Sequence, residues 1–337
     1  MDNQVRVRNI TDIARIAGVS PGTVSRALAD SHLIAKKTRE RIQGIAQEHD
    51  FRPNVMARNL RIKRAGAIGV LIPSGPDTSQ HVSDPFFMTM LGHLSDSLTE
   101  RGHDLLLSKI SPKDPHWLNR VADSGRVDGV ILIGQSNQLE AIEMVAARYL
   151  PLVAWGANVA GQVHCTVGSD NRKGGELATR HLIERGCRNF AFLGDSSAPE
   201  IAERLAGCKA ALAAAGKADK LSILPTPAAG KSAYPAIGKW LDEAGPYPNG
   251  IIAASDMMAT SALRALAEHN AAVPGEVHVV GFDDLPIPDQ TVPALTTVRQ
   301  DLAAGAAHLV DLLFRRIAGE KTASVILQPE LVVHQSS

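Results

Sequence analysis

The chain has 337 residues, 45% hydrophobic and 21% charged, enough to bury more than one core and too apolar to stay disordered. Its 35 Lys/Arg balance 35 Asp/Glu, no apolar run reaches the ~18 residues of a bilayer span, and MDNQVRVRNI lacks the apolar core of a secretory leader. A membrane protein is excluded, and a cytoplasmic location is expected. Three cysteines, Cys165, Cys187 and Cys208, stand singly, and the 12 histidines show no ligand spacing, so neither a disulfide framework nor a metal site is indicated and no cofactor is expected.

Asn9 to Ala29, NITDIARIAGVSPGTVSRALA, reads as two short helices joined by a tight turn. Asn9 caps the first helix, accepting from the amide of Asp12 while Asp12 reaches back. Ile13, Ala14, Ile16 and Ala17 supply its apolar face, and Gly18 stops it. Ser20-Pro21 restarts the chain with an N-cap and a first-turn proline. The second helix buries Val24 and Leu28 and leaves Gly22, Thr23, Ser25 and Arg26 on other faces. Read as a helix-turn-helix, this stretch places small Pro21 and Gly22 close to DNA. Ser20 and Thr23 can bind phosphate, and Arg26 can take a guanine edge with two bonds. An ordinary helical hairpin is the plainer alternative.

Lys37 to His49 is a third helix with Ile42, Ile45 and Ala46 inward, which completes a minimal head. Pro53 stops it, and Asn54 can cap a short helix from Val55 to Arg61. Two turns are marginal alone in water and need a partner. Arg58 and Arg61 beside Leu60 suit entry into a minor groove with the leucine wedged between base pairs, although an interdomain linker would read similarly. Residues 1–64 carry 13 Lys/Arg against 6 Asp/Glu, leaving 22 against 29 for the remainder. A basic head on an acidic body points to nucleic acid at one end only.

From Ala65 the period changes. AIGVLIP (67–73), DLLLSKI (104–110), DGVILIG (128–134) and LVAW (152–155) are apolar runs separated by helical stretches, the pattern of parallel βαβ units. HCTVG (164–168), FAFLG (190–194), LSILP (221–225), GIIAAS (250–255) and VHVVGF (277–282) repeat it, with helices near 171–185, 200–215, 232–243 and 257–269. Right-handed crossovers make each set an open sheet with helices on both faces, so the class is α/β. Two such lobes bring their carboxyl strand ends around a shared cleft, the ligand position of doubly wound folds. The tail adds a strand from Thr296, a helix near 301–318 and a last strand, VILQPELVV, crossing back between lobes. It shows no leucine heptad, so nothing suggests a four-chain coiled coil.

The chain resembles the lactose-repressor/galactose-repressor (LacI/GalR) family of bacterial transcription regulators over essentially its whole length. The motifs are AGVSPGTVSRAL, TRERIQGIAQEHDFRPNVMARNLR, DPFF (84–87), SDNRKGGELATRHLIERG, ERLAG (203–207), SDMMATSALRAL, VVGFDDLPIP, PALTTVRQ and PELVV, in the family's order. The resemblance implies a helix-turn-helix domain over 1–52 and a hinge helix and linker over 53–65. A two-lobed, periplasmic-binding-protein-like body follows over 66–337: lobe one about 66–165 plus 299–324, lobe two about 166–296 plus 325–333. It further implies a homodimer on a pseudo-palindromic operator, paired hinge helices that form on DNA, and Leu60 opening the central base step. An effector in the cleft would change the lobe angle and spread the hinges.

Carried over by position, Phe86 and Phe87 face the ligand, and Arg204 and Asp283 hold its polar groups. Asp84 lies at the cleft mouth, and Ser255 stands where many relatives have asparagine, next to Asp256. Arg204 and Asp283 can each engage neighbouring hydroxyls and a ring can stack on a pyranose, which favours a sugar. Asp256 could instead cap the helix beginning at 257, Asp170 could cap the one after it, and either phenylalanine could staple helix to sheet. Pro21 and Gly22 replace base-reading side chains of some relatives, Ala35 the usual cap, and Phe51 the common tyrosine. Gly156 stands where many relatives carry aspartate, and Ala228-Ala229-Gly230 where an aromatic often projects, with Trp155 offering stacking instead.

A repressor of carbohydrate-utilisation genes released by a sugar is the leading expectation. A purine-responsive, co-repressed regulator is the alternative, since aromatic and Arg/Asp pockets also hold bases. A solute-binding protein would share the body but not the basic head. An enzyme is disfavoured, because no GxSxG, GxxxxGK[ST] or strand-linked GxGxxG is present and adjacent Asp283-Asp284 make a poor acid/base pair.

Overall fold

A computed structural model describes residues 7, 9–51, 64–73, 81–110, 115–227, 230–243, 247–286 and 291–337. The chain divides into two compact units, Met1–Ala65 and Gly66–Ser337. The expected hinge helix with Asn54, Arg58, Leu60 and Arg61 lies outside the described residues, as do Ala228 and Ala229.

The first unit holds α1 (Ile10–Ala17), α2 (Pro21–Leu28) and α3 (Lys36–Glu48). Asn9 Oδ1 accepts from the Asp12 amide at 3.1 Å. Gly18 closes α1 at φ 65°, a left-handed conformation that suits glycine. Ile13, Ala14, Ala17, Val24, Ala27, Ile42 and Ala46 form the core. Two expectations are corrected. Ile16 is 40% exposed, since its Cα falls off the stripe set by Ile13 and Ala17, and Ala27 rather than Leu28 is the wholly buried partner of Val24. Arg41 and Gln43 of α3 donate to the carbonyls of Ala17 and Ala27, tying α3 to the ends of both other helices.

The second unit contains two six-stranded sheets. Its elements are β1 (Ala67–Pro73), α4 (Pro85–Glu100), β2 (Asp104–Ile110), α5 (Trp117–Ala122), β3 (Gly129–Ile133), α6 (Leu139–Ala146), β4 (Leu152–Trp155) and β5 (Cys165–Ser169). There follow α7 (Asn171–Glu184), β6 (Phe190–Leu193), α8 (Pro199–Ala214), β7 (Leu221–Leu224), α9 (Gly230–Glu243), β8 (Gly250–Ala253), α10 (Asp256–Glu268) and β9 (His278–Asp283). The tail gives β10 (Thr296–Arg299), α11 (Leu302–Ile317), β11 (Val325–Leu327) and β12 (Glu330–Val332). The first sheet runs β11-β5-β4-β3-β1-β2 and the second β12-β10-β9-β8-β6-β7.

The strand runs read from the sequence form, but two belong elsewhere. The fifth, at Cys165–Ser169, pairs with β4 and lies in the first sheet, not the second. VILQPELVV is two strands: Val325–Leu327 joins β5 in lobe one, and Glu330–Val332 pairs antiparallel with β10 in lobe two. Pro329 explains the break, because it has no amide to donate and restricts Gln328 before it. The chain therefore crosses between lobes three times, after β5, β10 and β11.

Helices α7 and α8 approach at backbone distance. A Cβ on Gly175 would lie 2.0 Å from the Arg204 carbonyl, and one on Gly207 would lie 1.9 Å from the Arg172 carbonyl. Only glycine fits at these crossings, and the close approach sets Arg204 beside the first crossing. Gly207→Ala is expected to lower body stability by about 1–3 kcal/mol through overpacking, read as a lower denaturant midpoint at unchanged slope. A midpoint equal to wild type would show that the helices separate freely.

Candidate functional site

In the head, Ser20 caps α2 by accepting from the Thr23 amide at 3.1 Å, and its hydroxyl meets that of Thr23 at 2.9 Å. The two expected phosphate ligands are thus paired with each other at the helix N-terminus. Arg26 Nε donates to the Gly22 carbonyl at 3.2 Å, so its guanidinium lies back along the helix. A Cβ on Gly22 would meet only Arg26 and Ser20, at 3.6 and 3.8 Å. Pro21 and Gly22 therefore leave a low-relief N-terminal end with Arg26 as its long cationic arm.

In the body, a cavity of about 200 Å³ opens where the carboxyl ends of both sheets converge. Lobe one contributes Pro73 from β1, Asp84, Phe86 and Phe87 from the start of α4, Ile133 from the end of β3 with Gly134 and Ser136 after it, and Trp155 from β4. Lobe two contributes Ala198, Glu200, Ile201 and Arg204 from α8, Ala254, Ser255, Met257 and Met258 after β8, and Asp283 from β9. Of the effector residues named from sequence, the structure brings Asp84, Phe86, Phe87, Trp155, Arg204, Ser255 and Asp283 together on this cavity.

Asp84 caps α4, accepting from the Phe86 amide at 3.0 Å, and burial raises its carboxyl above the ordinary value. Phe86 and Phe87 pack edge to face with centroids 5.6 Å apart, one ring bracing the other. Phe87 also belongs to the lobe-one core, so it staples as well as lines. Trp155 reaches the cavity with little of its ring. It is 4% exposed, and a Cβ on Gly305 of α11 would lie 2.3 Å from its Cζ3, which makes it chiefly a wall.

Arg204 is buried and heavily engaged. Its Nε donates to Asn171 Oδ1 at 2.8 Å and its Nη1 to the Ala254 carbonyl, while its Cζ sits 3.7 Å from the centre of the Phe282 ring. Asp283 Oδ1 lies 3.9 Å from Nη1 and accepts from Gln300 Nε2 at 2.7 Å. Burial pulls the guanidinium down, offset chiefly by Asp283. Burial also pushes the Asp283 carboxyl up to about 7, against the pull of Arg204 and the Gln300 bond. Asp283 and Asp284 both hold positive φ, 123° and 57°, a strained backbone at the mouth of the cavity.

Asp256 departs from both readings of it. It does not line the cavity and it is not the cap, because Ser255 caps α10 by accepting from the Met258 amide at 3.3 Å. Asp256 is fully buried; it accepts from the Leu285 amide at 2.9 Å and from Thr297 Oγ1 at 2.5 Å. It braces the loop that carries Asp283. Asp170 caps α7, accepting from the Lys173 amide at 2.9 Å.

Sequence reasoning missed Glu200, although it stands four residues before Arg204 on one helix face. Burial raises its carboxyl above the ordinary value, while its own backbone amide and the charge of Arg204 draw it down. Also missed was what fills the space beside Gly156. Gln135 is wholly buried there, and a Cβ on Gly156 would lie 2.7 Å from its Cδ. Its Nε2 donates to the Ala157 carbonyl at 3.0 Å and meets His164 Nε2 at 2.7 Å; His164 Nδ1 in turn pairs with Glu143. Among the described residues no cluster of His, Cys, Asp or Glu could hold a metal ion, and no helix is long and apolar enough to cross a membrane.

Residues 9–54 match the family described as bacterial regulatory proteins, lacI family, and residues 179–337 match the periplasmic binding protein-like domain. The chain is 31% identical to the HTH-type transcriptional regulator CelR of Thermobifida fusca, covering 96% of each chain. It is 27% identical to the sucrose operon repressor of Streptococcus mutans serotype c, covering 96% of this chain and 97% of that one. A solved complex of the transcriptional regulator CelR with cellobiose superposes with TM-score 0.69 at 29% identity, over 98% of this chain and 100% of that one. A lac repressor dimer bound to operator and the anti-inducer ONPF superposes with TM-score 0.85 at 24% identity over 98% of both chains, which supports the fold.

The raised Asp283 value carries a sign. Between the ordinary carboxylate value of 3.8 and about 7 the native state holds a proton that the unfolded chain has lost, so its stability contribution falls as pH rises across that interval. Asp283→Asn is expected to flatten this fall in denaturant midpoints measured from about pH 4 to pH 7. A slope as steep as wild type would mean that Asp283 is ionised throughout.

Proposed function

The chain belongs to the lacI family of bacterial regulatory proteins, and from that premise we propose that it is a cytoplasmic repressor of carbohydrate-utilisation genes, released from its operator by a sugar. The observation that carries the sugar reading is the composition of the cleft. Phenylalanine rings from lobe one face a buried guanidinium and carboxylates from lobe two. Apolar rings suit the C–H face of a pyranose, and Arg204, Asp283 and Asp84 suit its hydroxyls. The similarity to a regulator solved with cellobiose supports the same class. Among the described residues that line the cleft, none is a nucleophile hydrogen-bonded to a base, which supports binding without turnover.

On this reading the protein acts as a homodimer on a pseudo-palindromic operator. Ser20 and Thr23 exchange their mutual hydrogen bond for phosphate, Arg26 extends to a guanine edge, and Pro21 and Gly22 allow α2 to lie close. Asn54, Arg58, Leu60 and Arg61 belong to a hinge segment that folds in the minor groove, with Leu60 as the wedge. Phe86, Phe87, Arg204, Asp283, Asp84, Ser255 and the edge of Trp155 hold the effector, and Asp256 acts through the Asp283 loop. Sugar binding fixes a lobe angle at which paired hinges no longer meet.

Arg26→Ala is expected to cost about 1–3 kcal/mol of affinity for an operator recovered by selection from random DNA, with tolerance gained at one base position per half-site. Unchanged base preference would remove Arg26 as a reader. Thermal unfolding of the full chain against neutral mono- and disaccharides, their phosphates and purines tests the cleft, because a ligand held only by the native state raises the midpoint. A sugar that both raises the midpoint and frees operator DNA is the expected result. Stabilisation by purines alone, with operator binding strengthened, would replace induction with purine co-repression.

A further inference from the structure

The charged side chains that line the effector cavity are Asp84 from lobe one and Glu200, Arg204 and Asp283 from lobe two. Among the described residues no second cation lines it. Arg299, at the end of β10, is tied to Asp284 at 2.6 Å and to Glu330 at 3.2 Å and is not part of the wall. Three carboxyls therefore face one guanidinium, and that guanidinium is already engaged. Its Nε donates to Asn171, its Nη1 donates to the Ala254 carbonyl, and Asp283 stands 3.9 Å from Nη1 as countercharge.

The backbone adds no compensating positive end. Helix N-termini are ready seats for phosphate and carboxylate ligands, because their free amides and the helix dipole favour negative charge. Three helices begin at this cavity, and the chain's own groups occupy each start. Asp84 caps α4, Ser255 caps α10, and α8 opens with Pro199, which has no amide, followed by Glu200. Burial raises the Asp84, Glu200 and Asp283 carboxyls, and Asp84 adds to the rise at Asp283, as expected of negative charge short of partners.

We propose that the cavity selects its effector by charge, and that the effector is a sugar carrying neither phosphate nor carboxylate. An anion entering here would meet carboxyls at close range in a site shielded from water, with no free helix end to receive it. Hydroxyls suit the same groups, because a carboxylate accepts from them without a second charge being buried. The regulator then senses its sugar before any phosphoryl transfer to it. That the ligand is a sugar rests on the reading above; the exclusion of anions does not, so one arm of its test needs no effector.

A cysteine on either wall, Ser136→Cys in lobe one or Met257→Cys in lobe two, reports the local potential through its rates with a trimethylammonium-bearing and a sulfonate-bearing methanethiosulfonate. Cys165, Cys187 and Cys208 are buried and do not compete. At low salt and at a pH above the Asp283 value of about 7, the cation-to-anion rate ratio of the folded full-length protein is expected to exceed that of the same chain unfolded in urea by about tenfold. Glu200→Gln combined with Asp84→Asn, which can still cap α4, should bring the ratio most of the way back. In parallel, thermal midpoints are read with glucose, galactose and cellobiose beside glucose phosphate, galactose phosphate and glucuronate, and only compounds without phosphate or carboxylate should raise them. A folded ratio within about twofold of the unfolded one at both cysteines, with native circular dichroism, would overturn the proposal. So would a ratio that the paired carboxyl substitutions leave unchanged, or stabilisation by a sugar phosphate or by glucuronate. Silence from every compound with the ratio intact would reject the sugar reading and leave the charge selection standing, so the two fail separately.

Discussion

The body is arranged around the need to satisfy one buried guanidinium. Arg204 draws its partners from three places: Asn171 at the first crossing, Ala254 past the end of β8, and Asp283 at the end of β9, with the Phe282 ring beneath it. A cation this deep is tolerated only when its donors are occupied and a countercharge is near. Gly175 and Gly207 let α7 and α8 come close enough to deliver it, and Asp256 braces the loop that returns Asp283 to it. Packing, backbone strain at Asp283-Asp284 and cavity polarity are therefore consequences of one electrostatic requirement.

The same requirement gives the cleft its unequal walls. Lobe one offers mostly ring surface, with the Asp84 carboxylate tied down as the cap of α4. Lobe two offers charge, held by hydrogen bonds that a ligand can share but not replace without leaving Arg204 short of partners. Both walls border one cavity, with Glu200 and Arg204 of α8 lining it together with Phe86 and Phe87 of lobe one.

Much of this was legible in the residues. Asn9, Gly18 and Ser20-Pro21 mark the helix ends by local chemistry alone, and apolar runs such as AIGVLIP and LVAW are strands because they are buried on both faces. Local patterns say nothing, however, about which sheet a strand joins. Cys165–Ser169 and Val325–Leu327 were assigned to the wrong lobe for that reason, since sheet membership is settled by pairing between distant segments. Phe86, Phe87, Arg204 and Asp283 were reached through resemblance. Asp256 was misread because its two acceptors serve a loop and a strand far along the chain. Glu200 had a local signal in its spacing from Arg204, but no spacing reveals that the face they share lines a cavity completed by the other lobe.

The split of the final segment at Pro329 bears on how the molecule is made. Three residues complete the edge of one sheet and three complete the edge of the other, while α11 just before them packs into the core of lobe one. Neither lobe can reach its finished form while synthesis is still in its middle portion, because each waits for partners encoded near residue 330. Folding of the body is thereby deferred until that segment has been made and becomes highly non-local, a regime in which loop closure precedes reward and assembly is slow. The head has no such dependence: its core is drawn wholly from Ile13 to Ala46, so it can emerge and fold while the body is still being translated.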